Sequence, residues 1–391
     1  MKSVSSCVIV LNRVVDIAAA VGLYRKSPLK NTKILIVNFK AWDEYGWKKR
    51  KDIQTWMTQS DVNDVVGATN PEDVVIASSA EDYKAFVRQF DMCVCLGREL
   101  FIFKPLTKLS VGISGTRDYF NRYIDLISGN FYGDNGLIVT QNGDAWMKES
   151  ECGDYRMNCD YDFINANIKS FMSVDPLMDQ KSECDAIGKD EIRRELGFPI
   201  DKKVALISYR RADSWHTIFQ SDEEFFQSSI KTIKMFKDLG YFIVCRRRMG
   251  IDDITSRRAN SSEITRYDEI KPMVDLEVNG WSGYPNLLYK ACYASDILAM
   301  IDTSGICQRE ASITEIPTYM PYDEKNEFTM NQIQKEWEPG MRDMVNFKVV
   351  SNNLEDLLST EFKSNLMKYN LKWHSGNCEV FWKSILNRDI S

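Results

Sequence analysis

The chain alternates short apolar runs with segments of helical spacing, and this order limits its fold more than any other feature. In the first half, the apolar runs lie at 7–11, 33–39, 73–77, 92–96, 109–113 and 136–140. Segments with helical apolar spacing, at 14–24 and 80–90, separate two pairs of these runs. A strand, helix, strand order predicts an α/β fold in which helices cover both faces of a parallel sheet.

The same order begins again in the second half of the chain. The predicted elements there are a short helix at 190–196, strands at 203–208, 241–245 and 297–301, an amphipathic helix at 225–239 and a last amphipathic helix at 378–387. Gly197 and Gly240 end the helices that they follow, as glycine commonly does. We interpret the polar stretch at 179–189 as a linker. The expected organisation is a domain at 1–180, a second domain at 181–365 and a C-terminal helix within 366–391.

The composition excludes several classes of protein. Of the 391 residues, 44% are hydrophobic and 27% are charged, as in globular proteins with more than one core. The net charge of −6 provides no basic footprint for nucleic acid. No apolar run approaches the roughly 18 residues of a membrane helix, and the first run is too short for a signal peptide. Ten scattered cysteines indicate a reducing compartment, so we expect a cytoplasmic protein.

The segment at 301–311 carries the clearest chemical signal. A buried strand is predicted to end at Ile301, turn through Thr303, Ser304 and Gly305, and enter a helix that carries Glu310. Backbone N–H groups at such a helix start bind a diphosphate, and glycine lets the phosphate approach closely. Glu310 is then placed to accept hydrogen bonds from both ribose hydroxyls. The alternative is an ordinary helix cap, with Ser304 capping the helix and Glu310 exposed to solvent.

This segment resembles the donor-binding motif Ser-Gly-Gly-x-Gln-Glu-Glu-Ala of the UDP-N-acetylglucosamine 2-epimerase family. The matching positions are Ser304, Gly305, Gln308, Glu310 and Ala311, whereas Ile306 and Arg309 depart from the motif. Arg210 and Arg211 match the arginines of that family's His-Arg-Arg motif. Weaker matches follow the same order along the chain, at 115–117, 121–122 and 173–179. The resemblance implies a GT-B-like fold, with two Rossmann-like domains whose parallel sheets face each other across a cleft and a last helix that crosses back to the first domain.

The departures from the family concern its acid–base residues. Tyr209 stands where the family has the histidine of His-Arg-Arg, and the strand at 241–245 runs into arginines instead of a His-Pro-Asn-Pro segment. Asp118 and Tyr119 replace a carboxylate pair. Epimerisation needs positioned groups that remove and return a proton. The nucleotide-binding part is kept, so the leading expectation is a glycosyltransferase that uses a nucleotide-diphosphate sugar, with a UDP-sugar favoured.

Basic residues at strand ends support donor binding. Ser208, Arg210 and Arg211 lie at the carboxyl end of one predicted strand, and Arg246 and Arg248 follow the next. Ligands of open α/β sheets bind at this edge. Guanidinium groups there neutralise a diphosphate and the charge of the departing UDP, so no metal or cofactor is expected. The alternative is that these arginines are solvated or pair with Asp213 and Asp252.

Two other groups of residues have some features of a metal site, but the sequence around each argues against metal binding. Asp160 and Asp162 have the Asp-x-Asp spacing of manganese-dependent transferases, but they lie in a polar loop and follow no apolar strand. Cys152, Cys159 and Cys184 lack a Cys-x-x-Cys pair and a nearby histidine, so free thiols are favoured over a zinc site.

The general base is sought in the N-terminal domain. An inverting transferase needs a base that faces the acceptor, whereas a retaining enzyme needs none. Asp118, in the loop after a predicted strand, is the first candidate and Asp43 is the second. Arg210 is the third catalytic candidate, since it can stabilise the leaving diphosphate. His216 either contacts the donor or is a surface histidine.

The expected acceptor is a glycan or a lipid-linked sugar, as in polysaccharide biosynthesis. Trp42, Tyr45 and Trp47 precede the cations at 48–51, and this patch either contacts an anionic membrane or acceptor or is a solvated loop. Three other functions stay open: an epimerase or hydrolase of the 2-epimerase type, a polyol-phosphate transferase, and a binding protein without catalysis. The sequence leaves the oligomeric state open.

Overall fold

The computed structural model describes most of both halves of the chain. The described residues are 4–12, 16–38, 57, 59–96, 107, 109–114, 136–140, 176–209, 218–247, 261–278, 283–301, 310–335, 344–373 and 377–387. The chain divides into two compact units. The first comprises Met1–Asp179, Trp281–Tyr284 and Lys372–Ser391, and the second comprises Gln180–Gly280 and Pro285–Leu371.

The strands follow the predicted apolar runs closely. They are β1 (Ser6–Leu11), β2 (Asn31–Val37), β3 (Val74–Ala77), β4 (Met92–Leu96), β5 (Leu109–Ser114), β6 (Gly136–Thr140), β7 (Val204–Tyr209), β8 (Phe242–Arg247), β9 (Leu276–Glu277), β10 (Ile297–Met300), β11 (Thr318–Tyr319) and β12 (Val350–Ser351). All the predicted strands are confirmed, with ends that differ by at most two residues. The two-residue strands β9, β11 and β12 were not predicted.

Helices lie between these strands and after the last of them. They are α1 (Ile17–Arg25), α2 (Gln59–Ala68), α3 (Ala80–Val87), α4 (Asp179–Ile187), α5 (Lys189–Leu196), α6 (Asp222–Asp238), α7 (Ser261–Ile270), α8 (Leu287–Ala294), α9 (Glu327–Lys335), α10 (Leu354–Leu357), α11 (Thr360–Trp373) and α12 (Cys378–Leu386). A further helical stretch occupies residues 310–313. Among the described residues, no helix is both long and apolar enough to cross a membrane.

Each unit is built on one six-stranded parallel sheet. The order in the first is β3-β2-β1-β4-β5-β6, and in the second it is β12-β11-β10-β7-β8-β9. The strand pairings are parallel throughout both sheets. Parallel strands that helices cover on both faces are buried on both faces, which explains why β1 and β7 are continuous apolar runs. The α/β class predicted from the sequence is confirmed.

Local signals in the sequence set the helix ends. Ser79 caps α3 by accepting a hydrogen bond from the Asp82 N–H at 3.1 Å. Gly197 ends α5 in the left-handed conformation, with φ of 74°. The Phe198 N–H then donates to the Arg193 carbonyl at 2.8 Å, a bond that completes a Schellman motif. The predicted stop at Gly197 is confirmed.

The stretch at 179–189, interpreted as a linker, forms helix α4 over Asp179–Ile187. Its composition is polar, but one side of the helix is covered, since Gln180 and Cys184 are both 0% exposed. Residues four apart lie on the same face of a helix, so this pair anchors α4 to the second unit. Burial of one narrow face was enough to make a polar segment helical.

The last helix, α12, packs within the first unit. Trp382 is 2% exposed, and its indole Nε1–H donates to the carbonyl of Leu23 in α1 at 2.9 Å. At the start of α12, the Cys378 N–H donates to Asp179 Oδ2 at 2.9 Å. A carboxylate at a helix N-terminus is favourable because it meets unpaired N–H groups. These two contacts bind α12 to Leu23, near the beginning of the segment Met1–Asp179, and to Asp179 at its end.

Candidate functional site

The candidate site lies at the carboxyl edge of the second sheet, where β10, β7 and β8 are neighbours. Ser208 in β7 pairs with Met300 of β10 on one side and with Arg246 of β8 on the other. Adjacent strands are about 4.8 Å apart, so these three residues lie side by side. Open α/β sheets bind their ligands outside this edge. Ile301, the next residue after β10, begins the motif that the sequence singled out.

The arginines on β8 lie within the strand. The sequence predicted a strand that ends at residue 245 and is followed by arginines, but β8 runs to Arg247 and pairs with β7 through Tyr209. The pairing with β7 therefore extends β8 by two residues, Arg246 and Arg247. Arg246 is 9% exposed and Ser208 is 2% exposed. A guanidinium at this depth needs acceptor groups around it.

Glu310 is buried in the helical stretch after β10. Its exposure is 1%, and the neighbouring Ala311 and Ser312 are equally covered. The alternative prediction that Glu310 is exposed to solvent is therefore wrong. Ser304, the predicted cap, lies outside the described residues. A carboxylate is buried only where hydrogen-bond donors compensate for its lost hydration.

Tyr209 is a core residue at the end of β7. It is 4% exposed, and its ring lies 5.4 Å from that of Phe225 and 5.3 Å from that of Tyr267, measured between centroids. Phe219 extends this group, with its ring 5.9 Å from that of Phe225. Tilted and edge-on aromatic pairs at these distances stabilise a core beyond the area that they bury. The position that holds a histidine in the 2-epimerase family is therefore occupied by a packing residue.

Comparison of the folds identifies the architecture. A wall teichoic acid polymerase TagF structure, the H548A variant, matches 99% of this chain and 89% of its own, with a TM-score of 0.53 at 15% identity. The UDP-GlcNAc 2-epimerase of Methanocaldococcus jannaschii, in complex with UDP-GlcNAc and UDP, matches 97% of this chain and 98% of its own, with a TM-score of 0.51 at 12% identity. The chain has a GT-B-like fold. The resemblance inferred from the sequence is confirmed at the level of the fold.

Sequence comparison adds nothing to this assignment. No family model matches the sequence. No curated protein matches it either.

Tyr267 and Glu277 were not predicted as site residues, yet both lie at the same edge of the GT-B-like second sheet. Tyr267 is 0% exposed on α7, and Glu277 ends β9 beside Cys245 of β8. Burial raises the pKa of Tyr267, and the neighbouring Cys245 thiol and Glu277 carboxylate raise it further. No spacing in the sequence reveals that Glu277 lies near Tyr267 and Cys245, because Cys245 and Glu277 become neighbours only when β8 and β9 pair.

Most of the predicted site residues lie outside the described part of the chain. These are the catalytic candidates Asp43, Asp118 and Arg210, the donor-binding candidates Arg211, Arg248, Thr303, Ser304 and Gly305, and also His216, Asp160, Asp162, Cys152, Cys159 and the aromatic and basic patch at 42–51. Ser208, Arg246 and Glu310 are the candidates whose surroundings are described.

The described cysteines are buried thiols. Cys93 and Cys95 lie on the same face of β4, as their spacing predicted, with their Sγ atoms 3.5 Å apart. Burial raises the pKa of the Cys184 thiol to about 12.

Proposed function

We propose that this protein is a GT-B glycosyltransferase that moves a sugar from a nucleotide-diphosphate donor, with a UDP-sugar favoured, to an acceptor without a metal ion. One observation carries the proposal: the segment after Met300 starts beside Ser208 of β7, and Ser208 has Arg246 of β8 as its neighbour on the other side. This segment carries the motif at 301–311 and the buried Glu310.

Each part of the donor has a proposed partner. The diphosphate is proposed to lie against Thr303, Ser304 and Gly305, where the sequence predicts a turn whose backbone N–H groups bind phosphate oxygens. Glu310 accepts hydrogen bonds from the ribose hydroxyls. That pairing suits a carboxylate that is only 1% exposed, since buried charges need donors.

The cationic residues act on the leaving group. When the bond between the sugar carbon C1 and the diphosphate oxygen breaks, negative charge develops on the departing nucleotide. Arg246 at the end of β8, with Arg210, Arg211 and Arg248, stabilises this charge. A nearly buried guanidinium is effective here because charges interact more strongly where water is excluded.

The acceptor is activated by a carboxylate of the first unit. We assign this role to Asp118, with Asp43 as the second candidate, in an inverting reaction where the base removes the acceptor hydroxyl proton. The proposed acceptor is a glycan or a lipid-linked sugar, in a cytoplasmic step of polysaccharide biosynthesis.

The epimerase alternative is less well supported. Tyr209 occupies the family's histidine position, and its ring is held between Phe225 and Tyr267 at centroid distances of 5.4 and 5.3 Å. A tyrosine that is 4% exposed and packed in this way is poorly suited to shuttle a proton.

A polyol-phosphate transferase is the second candidate. Two variants of the wall teichoic acid polymerase TagF have TM-scores of 0.52 and 0.53 with this chain, slightly above the 0.51 of the archaeal epimerase. The chain has two histidines in total, whereas phosphotransferases of this kind rely on histidine. We therefore rank it below the glycosyltransferase.

A thermal-shift screen with UDP, GDP, CDP, ADP and CMP tests the donor site and separates the donor classes. A nucleotide at about a hundred times its dissociation constant adds about 2.7 kcal/mol to the stability of the folded state. We expect one diphosphate nucleotide, UDP first, to raise the melting temperature of the wild type and to lose this effect in Glu310→Ala. The matched control is Glu361→Ala, since Glu361 is an exposed carboxylate in the first turn of α11.

Three results would contradict the proposal in different ways. If no nucleotide stabilises the wild type, the donor site is absent. Stabilisation by cytidine nucleotides alone would favour the polyol-phosphate transferase. Release of UDP from UDP-N-acetylglucosamine, or inversion of its C2 centre without any acceptor, would favour the hydrolase or epimerase.

A further inference from the structure

The helix that carries Glu310 ends within one turn of that residue. The Glu315 N–H donates to the Ser312 carbonyl at 3.1 Å, and the Ile316 N–H donates to the Ala311 carbonyl at the same distance. These two bonds form a Schellman motif, a common end of a helix. The bonded carbonyls lie in the same turn as Glu310, so the helix end and the Glu310 carboxylate move together.

Glu315 holds a backbone conformation that usually needs glycine. Its φ is 59°, in the left-handed region, where a Cβ atom comes too close to the following carbonyl oxygen. This position of a Schellman motif is most often glycine for that reason. A strained conformation of this kind persists only where neighbouring groups hold it. The end of the helix therefore depends on contacts from other elements.

Asn370 of α11 contacts the same turn. Its Nδ2–H group donates to the Ser312 carbonyl at 3.0 Å. That carbonyl also accepts the hydrogen bond from the Glu315 N–H, so both of its lone pairs are bonded. Ser312 is 1% exposed, so solvent cannot take the place of the Asn370 amide. The side chain of Asn370 therefore ties the helix end to α11.

Helix α11 is itself held by its apolar face. Phe362, Leu366 and Tyr369 are 5%, 4% and 2% exposed, and their spacing places them on one side of the helix. The Tyr369 ring packs edge-on against that of Phe347, with centroids 6.1 Å apart. Asn370 directly follows Tyr369. The backbone that carries its amide is therefore anchored in the core of the second unit.

We propose that Asn370 is a positioning residue for the ribose part of the donor site: its amide fixes the last turn of the helix after β10 and thereby the direction of the Glu310 carboxylate. The inference rests on the proposed donor site, in which Glu310 accepts hydrogen bonds from the ribose hydroxyls. Asn370 contacts no part of the donor and acts through Ser312. A donor that lacks the ribose hydroxyls should therefore be insensitive to changes at Asn370.

Calorimetric titration tests this role, first with UDP, GDP, CDP and ADP and then with the 2′,3′-dideoxy form of whichever binds best. Asn370→Leu has a similar size and removes the donor, so it should weaken binding of that nucleotide about three- to tenfold. Asn370→Asp keeps the shape and places an oxygen against the Ser312 carbonyl, so it should weaken binding at least as much. Binding of the dideoxy nucleotide should change less than about twofold in both variants.

A double-mutant cycle and a matched control complete the design. In a Glu310→Ala background, Asn370→Leu should have less than about a twofold effect, because the contact that it positions is already gone. The control is Asn365→Leu, since Asn365 is a half-buried asparagine of the same helix, and this change should leave binding unchanged. Urea unfolding of each variant measures any loss of stability separately.

The outcomes separate this inference from the donor-site proposal. If the wild type binds no nucleotide, or binds one without loss in Glu310→Ala, the donor-site proposal fails and the positioning role fails with it. If Glu310→Ala weakens binding but Asn370→Leu affects the dideoxy nucleotide as much as its parent, Asn370 only stabilises the fold and the positioning role alone is wrong. An undiminished effect of Asn370→Leu in the Glu310→Ala background, or equal weakening by Asn365→Leu, would also overturn it.

Discussion

Arg193 Nη2 in α5 donates to Asp296 Oδ2, just before β10, at 2.7 Å. Arg193 is 6% exposed, and its other donors bind the carbonyls of Ala294 at 2.9 Å and Lys202 at 3.2 Å. Asp296 also accepts a hydrogen bond from the Val204 N–H at 2.8 Å. The pair joins α5 to the amino ends of β7 and β10, the two central strands of the second sheet. It therefore fixes the opposite end of the strands whose carboxyl ends form the candidate site.

Removal of the arginine should destabilise the second unit strongly. Arg193→Met removes one donor of the Asp296 carboxylate and the guanidinium that binds several carbonyl groups. Loss of a partner from a buried pair costs about 3–5 kcal/mol, and because Asp296 keeps its bonds to Lys189 and the Val204 N–H we expect a cost of about 3 kcal/mol. The matched control is Arg194→Met, since Arg194 pairs with Glu191 on the surface, with side chains that are 60% and 62% exposed. That change should cost less than about 1 kcal/mol. Urea unfolding measures both, and equal losses would show that the buried network contributes no more than a surface pair.

The same network predicts acid sensitivity. Burial by itself would raise the pKa of Asp296, but hydrogen bonds from Lys189 and the Val204 N–H, together with the charges of Lys189 and Arg193, lower it below its ordinary value. A carboxyl with a lowered folded-state pKa stabilises the fold above its unfolded pKa of about 3.9. This contribution is lost as the pH falls through the lower folded-state value. Urea midpoints should therefore drop below about pH 4, and Asp296→Asn should make that drop smaller. An equally steep drop in the variant would contradict the assignment.

Restoring the histidine of the 2-epimerase motif should not restore epimerisation. Tyr209→His replaces a ring packed between Phe225 and Tyr267 by a smaller, polar one, at a cost of about 1–3 kcal/mol. Tyr209→Phe keeps the ring contacts and should cost about 1 kcal/mol or less. Proton NMR of UDP-N-acetylglucosamine incubated with each variant should show no product inverted at C2. Appearance of that product with Tyr209→His would show that a single residue separates this chain from the epimerases.

The fold class was predictable because buried parallel strands leave a strong signal. Residues 7–11 of β1 are all 0% exposed, and a continuous apolar run is what burial on both faces requires. The strands β11 and β12 leave no such signal. Each has two residues, and pairing creates them: Thr318 of β11 pairs with Leu298 of β10 and with Val350 of β12. Such pairs depend on neighbours far away in the sequence.

The candidate site was predictable only in part, because some of its contacts also depend on residues that are far apart in the sequence. Ser208 and Arg246 were found because each lies at the end of an apolar run, and parallel pairing then brings them together. Tyr267 could not be found, because its ring meets that of Tyr209 only after α7 packs on the sheet. Glu310 was identified by its motif, but its burial depends on packing that the motif does not encode.

The last helix should contribute to the stability of the first unit through Trp382. Its indole donates to the Leu23 carbonyl at 2.9 Å, and its ring packs edge-on against Phe381, with centroids 5.2 Å apart. Trp382→Phe keeps a ring but leaves a buried carbonyl without its donor, which costs about 1–3 kcal/mol. Trp382→Ala also opens a cavity, so it should cost about 3–5 kcal/mol. Val380→Ala is the control, since Val380 is 42% exposed on the same helix and should change stability by less than about 0.5 kcal/mol. Urea unfolding followed by circular dichroism distinguishes these values. A small effect of Trp382→Ala would show that the contact between Trp382 and Leu23 contributes little to the stability of the first unit.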